Sequence, residues 1–195
     1  MRRTLLTSLI AVIAITVLFG LVYPLVMTGV SQVVFPGKAN GSKASVNGKV
    51  VGSSLIGQEF KGKGYFHSRP SATGYSANVT YFGIAGPNSV EEREAVRENL
   101  ASYVALEKPY DHSLTREQVP VDAVTVSASG VDPEISQANA WIQAHRIAAV
   151  RQLSLDQVDE LISDHTNGRF FGVFGEPGVN VLQLNIALDK EAPIE

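Results

Sequence analysis

The chain has 195 residues, a net charge of −3, 45% hydrophobic residues, 18% charged residues and no cysteine. The missing cysteines exclude disulfides, thiolate metal sites and a cysteine nucleophile, and no Lys/Arg cluster of the kind a nucleic-acid partner requires is present. The charge fraction is below the usual quarter or so because the N-terminal stretch is almost uncharged; the remaining roughly 160 residues suffice for one domain with its own core.

Arg2 and Arg3 are followed by no charged residue until Lys38. Residues 5–27, LLTSLIAVIAITVLFGLVYPLVM, exceed the about 20 apolar residues that cross a bilayer as a helix. A secretory signal has an apolar region of about 7–15 residues and a small-x-small cleavage site. This run is longer and lacks such a site, so an uncleaved anchor over residues 1–30 is expected. Pro24 falls late, where it kinks the helix or ends it. Two arginines precede the run and only Lys38 follows closely, so the positive-inside rule predicts a cytoplasmic N-terminus and an extracytoplasmic domain.

Residues 31–50, rich in Gly, Asn, Ser and Lys towards their end, read as a linker, and residues 51–195 as the soluble domain. VVGSSLIGQEF and YFHSRPS look like short extended segments, and residues 72–88 like a long irregular connection. Ser89 with Glu92 predicts a capping box. Val96, Leu100, Tyr103 and Val104 give the following helix its apolar stripe. Residues 121–129, VDAVTVSAS, predict a strand. Ser136 is placed to cap a helix through Trp141 and Arg146 towards Leu153. Ser154 and Gln157 predict a second capping box, with Val158, Leu161 and Ile162 buried and Gly168 as the stop. In residues 180–188, NVLQLNIAL, the alternation of Leu182, Leu184, Ile186 and Leu188 predicts a closing strand. The fold class is α+β: one transmembrane helix followed by a single α+β domain.

Motifs for chemistry are sparse. No phosphate-cradling G-x-x-x-x-G-K-[ST] occurs, and Lys61-Gly62-Lys63-Gly64 lacks the hydroxyl residue that would complete one. His67, His112, His145 and His165 show no ligand spacing, so no metal site is expected. No serine sits in a nucleophile elbow. No catalytic residue is assigned and the chain is not expected to be an enzyme on its own.

Five stretches, taken together and in order, resemble the C subunit of the Kdp-type potassium-transporting ATPase: GSSLIGQEF (52–60), YFHSRPSA (65–72), VTVSASGVDPEIS (124–136), QAHRIAAVR (143–151) and GEPGVNVLQLNIAL (175–188). The resemblance implies a non-catalytic subunit of a bacterial inner-membrane complex that imports K⁺ using ATP. Its partners would be a potassium-channel-like subunit and a P-type ATPase subunit. The family's C subunit is described as an assembly factor and as a catalytic chaperone that raises the pump's affinity for ATP. By the same resemblance Gln143, with Arg146 following it, is a proposed nucleotide contact; ATP would otherwise enter only through the complex. The extracytoplasmic placement argues against that contact, and a helix whose Gln and Arg tie down neighbouring loops is the alternative. The sequence departs from the family at Glu134, where His is usual, at Gly178, where Arg is usual, and around residues 81–89. A free-standing membrane-tethered binding or envelope protein is the alternative function.

Overall fold

A computed structural model describes residues 2–76, 85–86 and 88–193, in two compact units, Met1–Lys43 and Ala44–Glu195. The first unit is dominated by a continuous helix. It runs as α1 (Arg2–Val17), one π-helical turn (Leu18–Val22) and α2 (Tyr23–Val34). Together these make 33 residues, about 50 Å at 1.5 Å per residue, more than the about 30 Å hydrocarbon core. None of its described residues is buried within the chain. Thr7 and Ser8 donate their hydroxyls to the carbonyls of Arg3 and Thr4, both at 2.9 Å, so these polar groups are met inside the helix.

Pro24 does not end the helix; α2 continues to Val34. It does mark the irregularity. Proline has no N–H to give the carbonyl four residues back, and the N–H of Tyr23 reaches Leu18, one residue further than in an α-helix. The helix stops at Phe35 (φ −135°, ψ 55°), as expected for a residue forced out of the helical region by the proline after it. A short helix, α3 (Pro36–Ala39), follows.

β1 (Lys43–Val46), whose first residue closes the first unit, and β2 (Lys49–Ser53) form a hairpin. Asn47 and Gly48 both have positive φ, the requirement of the tight turn that suits strand twist. The predicted linker thus holds a helical turn and the first strand of a hairpin. Of the long connection predicted over residues 72–88, most lies outside the described residues. α4 (Val90–Glu107) starts where expected: the Ser89 hydroxyl accepts from the N–H of Glu92 at 3.1 Å. The box is incomplete, since the Ser89 N–H goes to the carbonyl of Gly86 instead.

The strand predicted over residues 121–129 is absent. A 3₁₀ turn occupies Val121–Ala123, and the N–H and hydroxyl of Thr125 both return to the Val121 carbonyl. Side chains take the place of a sheet partner, Asn99 donating to the carbonyl of Val124 and Arg69 to that of Val126. Next come β3 (Glu134–Ile135), α5 (Gln137–Arg151) and α6 (Leu155–Asp164). The Ser154–Gln157 capping box is complete. α6 ends at Asp164, before Gly168, and the chain passes into β4 (Thr166–Asn167).

The closing segment corrects the sequence expectation most. Only Gly178–Asn180 is a strand, β5, central between β3 and β4 in an antiparallel sheet. Residues Val181–Glu191 form a helix, α7, capped by the Asn180 side chain, which accepts from the N–H of Gln183 at 3.1 Å. Val181, Leu184, Asn185 and Leu188 are buried, a helical stripe that the alternation of leucines concealed. The core gathers Phe66 from the stretch before α4 with Ile135 of β3, Ala144 and Ile147 of α5, Ile162 of α6, Val179 of β5 and Leu184 of α7.

Glu134 and Gly178, the two departures from the family pattern, lie against each other. A Cβ on Gly178 would stand 2.5 Å from a carboxylate oxygen of Glu134, whose other oxygen accepts from the Asn167 amide at 2.7 Å. The bare backbone of Gly178 is what lets Glu134 fold across β5 to reach β4.

Candidate functional site

α5 carries both residues singled out from the sequence. Its start is held firmly. Asp122 accepts from the Ser136 N–H and hydroxyl, both at 2.8 Å, and from the Asn139 amide at 3.0 Å, while the Ser136 hydroxyl caps the N–H of Asn139. From this start Asn139, Gln143 and Arg146 follow at helical spacing along one side, all buried. Ala140, Ala144 and Ile147 face the apolar core.

Gln143 is only 1% exposed and all four hydrogen-bonding positions of its amide are used. Its oxygen accepts from the N–H of His67 at 2.7 Å and from Arg146 at 3.0 Å. Its nitrogen donates to the carbonyl of His67 at 3.1 Å and to the Asn139 side chain at 2.9 Å. Arg146, fully buried, donates from Nε to both carboxylate oxygens of Glu107, at 3.0 and 3.1 Å. Its Nη1 reaches the carbonyls of Lys63 and Tyr65.

These contacts hold residues 63–67, a turn closed by the Tyr65 N–H on the Gly62 carbonyl and the irregular stretch that follows it. That segment belongs to none of the strands, and side chains supply what a sheet would have supplied. Asn185 of α7 brackets Phe66, accepting from its N–H at 2.8 Å and donating to its carbonyl at 2.9 Å. Gln143 does the same for His67. Arg151 takes the carbonyl of Gly64 at 2.7 Å, pairs with Asp189 at 2.8 Å and lies 4.7 Å over the Tyr65 ring. With its backbone met in this way, Phe66 enters the core completely.

Burial pushes the Glu107 carboxyl up from its ordinary value, and the charge and hydrogen bond of Arg146 pull it back. Burial, then the Glu107 charge, holds the Tyr103 phenol far above its ordinary value, so it stays a neutral donor to Asn139 at 2.8 Å. The His67 imidazole is pushed down, first by burial and then by the Arg146 guanidinium. Beside this network is a cleft of about 220 Å³, bordered by His67, Asn99, Tyr103, Glu107, Asn139 and Gln143.

The sequence named Gln143 and Arg146, and the structure brings them together with Glu107, Asn139, Asn185 and Arg151, which it did not name. Helical spacing from Gln143 points to Asn139; Glu107 and Asn185 come from distant segments and left no local signal. Of the four histidines, His67 meets the carbonyl of Gly62 and His165 that of Leu161. Among the described residues no group of three or more His, Asp or Glu side chains is arranged to hold a metal ion.

The structure thus joins a membrane-length apolar helix to an α+β domain whose buried polar side chains are engaged within the chain. The chain belongs to the family described as "K+-transporting ATPase, c chain", whose sequence model matches residues 5–190. It is 43% identical to the potassium-transporting ATPase KdpC subunit of Koribacter versatilis over all of this chain and 98% of that one. The KdpC subunit of Mycobacterium bovis is 45% identical over 97% of this chain and 100% of its own length, and that of Herpetosiphon aurantiacus 46% identical over 97% of each. The chain is an accessory subunit of a potassium import complex, not its catalytic subunit.

Proposed function

We propose that this chain serves the assembly and stability of the complex, its anchor docking on the potassium-channel-like subunit beside the P-type ATPase subunit. The N-terminus is cytoplasmic and the domain extracytoplasmic, an orientation supported by Arg2 and Arg3 ahead of the helix. Protease added to intact spheroplasts removes the domain if this holds; full protection overturns it. The raised ATP affinity ascribed to such subunits then arises through the assembled pump, and Gln143 and Arg146 act by holding residues 63–67 and Glu107. The observation that carries this is the saturation of the Gln143 amide within the chain, which leaves no position for an adenine edge. The test is Gln143→Ala in the assembled complex. Loss of domain stability and assembly together is expected. A selective loss of ATP affinity with assembly and domain melting unchanged would overturn the proposal in favour of a nucleotide contact.

A further inference from the structure

The β1–β2 hairpin is a two-stranded sheet with no third strand among the described residues. A pair of strands is marginal without a further strand or a packed face. Only Asn47 and Gly48 form its turn, so Val46 and Lys49 exchange backbone bonds while Ser45 and Val50 point their N–H and carbonyl groups outwards. On the β2 side Gln58 lies against Gly52 and donates to the Val51 carbonyl at 3.0 Å. On the β1 side, among the described residues, no group outside the hairpin bonds to the backbone of Lys43–Val46. Unpaired edges are usually blocked, often by proline or a covering segment; β1 has no proline and its Ser45 is exposed.

The chemistry of the edge selects its occupant. A row of free N–H and carbonyl groups is matched by another extended chain, not by lipid or by a helix. Ala44 and Val46 share one face of β1, and that face borders an apolar cleft of about 220 Å³ lined by Val46, Val51, Phe60, Tyr65, Leu182 and Ile186. Every second side chain of an added strand would point to that face, which is how such edges gain specificity. Charge narrows the choice further. Residues 4–58 contain Lys38, Lys43 and Lys49 and no Asp or Glu, and Lys43 and Lys49 are exposed. A second copy of this hairpin would bring like charges to the edge, whereas a strand carrying carboxylates is attracted to it. Only residues 35–42 separate β1 from the end of the apolar helix, at most about 30 Å of extended chain. A subunit packed along that helix is therefore within reach of the edge.

We propose that the outer edge of β1 is a docking site for an acidic extended segment of another subunit of the complex, which joins the hairpin as a third strand. The inference rests on the assembly role proposed above and gives the domain a contact of its own besides that of the anchor. It does not depend on which side of the membrane the domain occupies.

The test measures backbone amide exchange of the full chain, alone and in the assembled complex, both in nanodiscs of phosphatidylethanolamine and phosphatidylglycerol. The peptide covering residues 43–46 is expected to exchange about tenfold more slowly in the complex, with the turn at Asn47 and Gly48 alike in both states. Ser45→Pro removes the outward N–H and spares the hairpin's own bonds, and Val50→Pro does the same on the opposite edge. Ser45→Pro is expected to abolish the slowing while the domain melts as the native one does; Val50→Pro is expected to retain it. Lys43→Glu with Lys49→Glu is expected to weaken it, and unchanged protection there overturns the acidic character of the added strand. Equal exchange of residues 43–46 in both states, in a complex that holds together, overturns the inference and leaves the assembly role standing. Slowing that survives Ser45→Pro overturns it too. Exchange already slow in the chain alone overturns it in favour of lipid or of a second copy. A native chain that fails to co-purify with the other subunits removes the assembly role, and this inference with it.

Discussion

Two short segments of the domain solve the same backbone problem in opposite ways. Residues 63–67 carry Gly64 and Phe66 into the domain without a sheet, and Gln143, Arg146, Arg151 and Asn185 supply partners for N–H and carbonyl groups of the segment. Residues 168–176 bond largely to themselves and leave their side chains bare. In the first, polar side chains are consumed internally so that one ring, Phe66, can be buried. In the second, a turn held by backbone hydrogen bonds at its base exposes several rings. Polar residues that look like binding groups in the sequence therefore serve the interior, whereas the exposed turn is apolar.

The largest expected break in this contrast is Arg146→Met. It strips the 63–67 segment of two carbonyl partners and leaves the Glu107 carboxylate buried and unpaired. Removing one partner of such a pair costs about 3–5 kcal/mol, so chemical denaturation of the full chain in detergent should show the domain unfolded or nearly so. Adding Glu107→Met to the same chain should recover part of the loss, because the stranded charge goes with it.

The opposite change belongs to the 168–176 turn. Phe171→Gly removes a ring that does little for the fold and relieves the left-handed backbone, so stability in detergent should rise by up to about 1 kcal/mol. A loss of stability comparable to that of a core truncation would show that the ring packs within the domain after all.

The smallest effect is a pH dependence at the inner segment. The folded chain holds His67 below its ordinary value, so above about pH 6.5 both folded and unfolded states carry it neutral and its contribution is fully present. As pH falls, the unfolded chain takes up the proton first, and stability is lost down through the folded value. Melting temperatures taken from about pH 7.5 to about pH 5.5 should fall more steeply for the native chain than for His67→Gln. Equal slopes would remove His67 from the account.

The sequence made some of this visible and hid the rest for identifiable reasons. The long apolar helix was legible because bilayer thickness sets a length that few other segments reach. The caps at Ser136 and Ser154 were legible because capping is local in sequence. Residues 180–188 were not: Leu182, Leu184 and Leu188 fit a period of two as well as a helical stripe, and the buried Asn185 that decides the matter looks like a solvent-facing residue until Phe66 is placed beside it. The valines of residues 121–129 suggested a strand, yet Thr125 turned back on Val121 and Asp122 was drawn to the start of α5. The site was half legible: Gln143 and Arg146 stood out, but their roles depend on Glu107 and on residues 63–67, far away along the chain.

The π-helical turn in the anchor has a consequence for any helix that packs against it. One extra residue in a turn advances the side-chain register by about 100°. Ala11 and Ala14 precede that offset and Val26 and Val30 follow it, so a facing direction extrapolated from Arg2 at a uniform period points the wrong way after Leu18. A neighbour running straight alongside would meet one stripe on the first half of the anchor and a differently composed stripe on the second. The two halves of the helix thus present differently composed stripes to whatever packs along them.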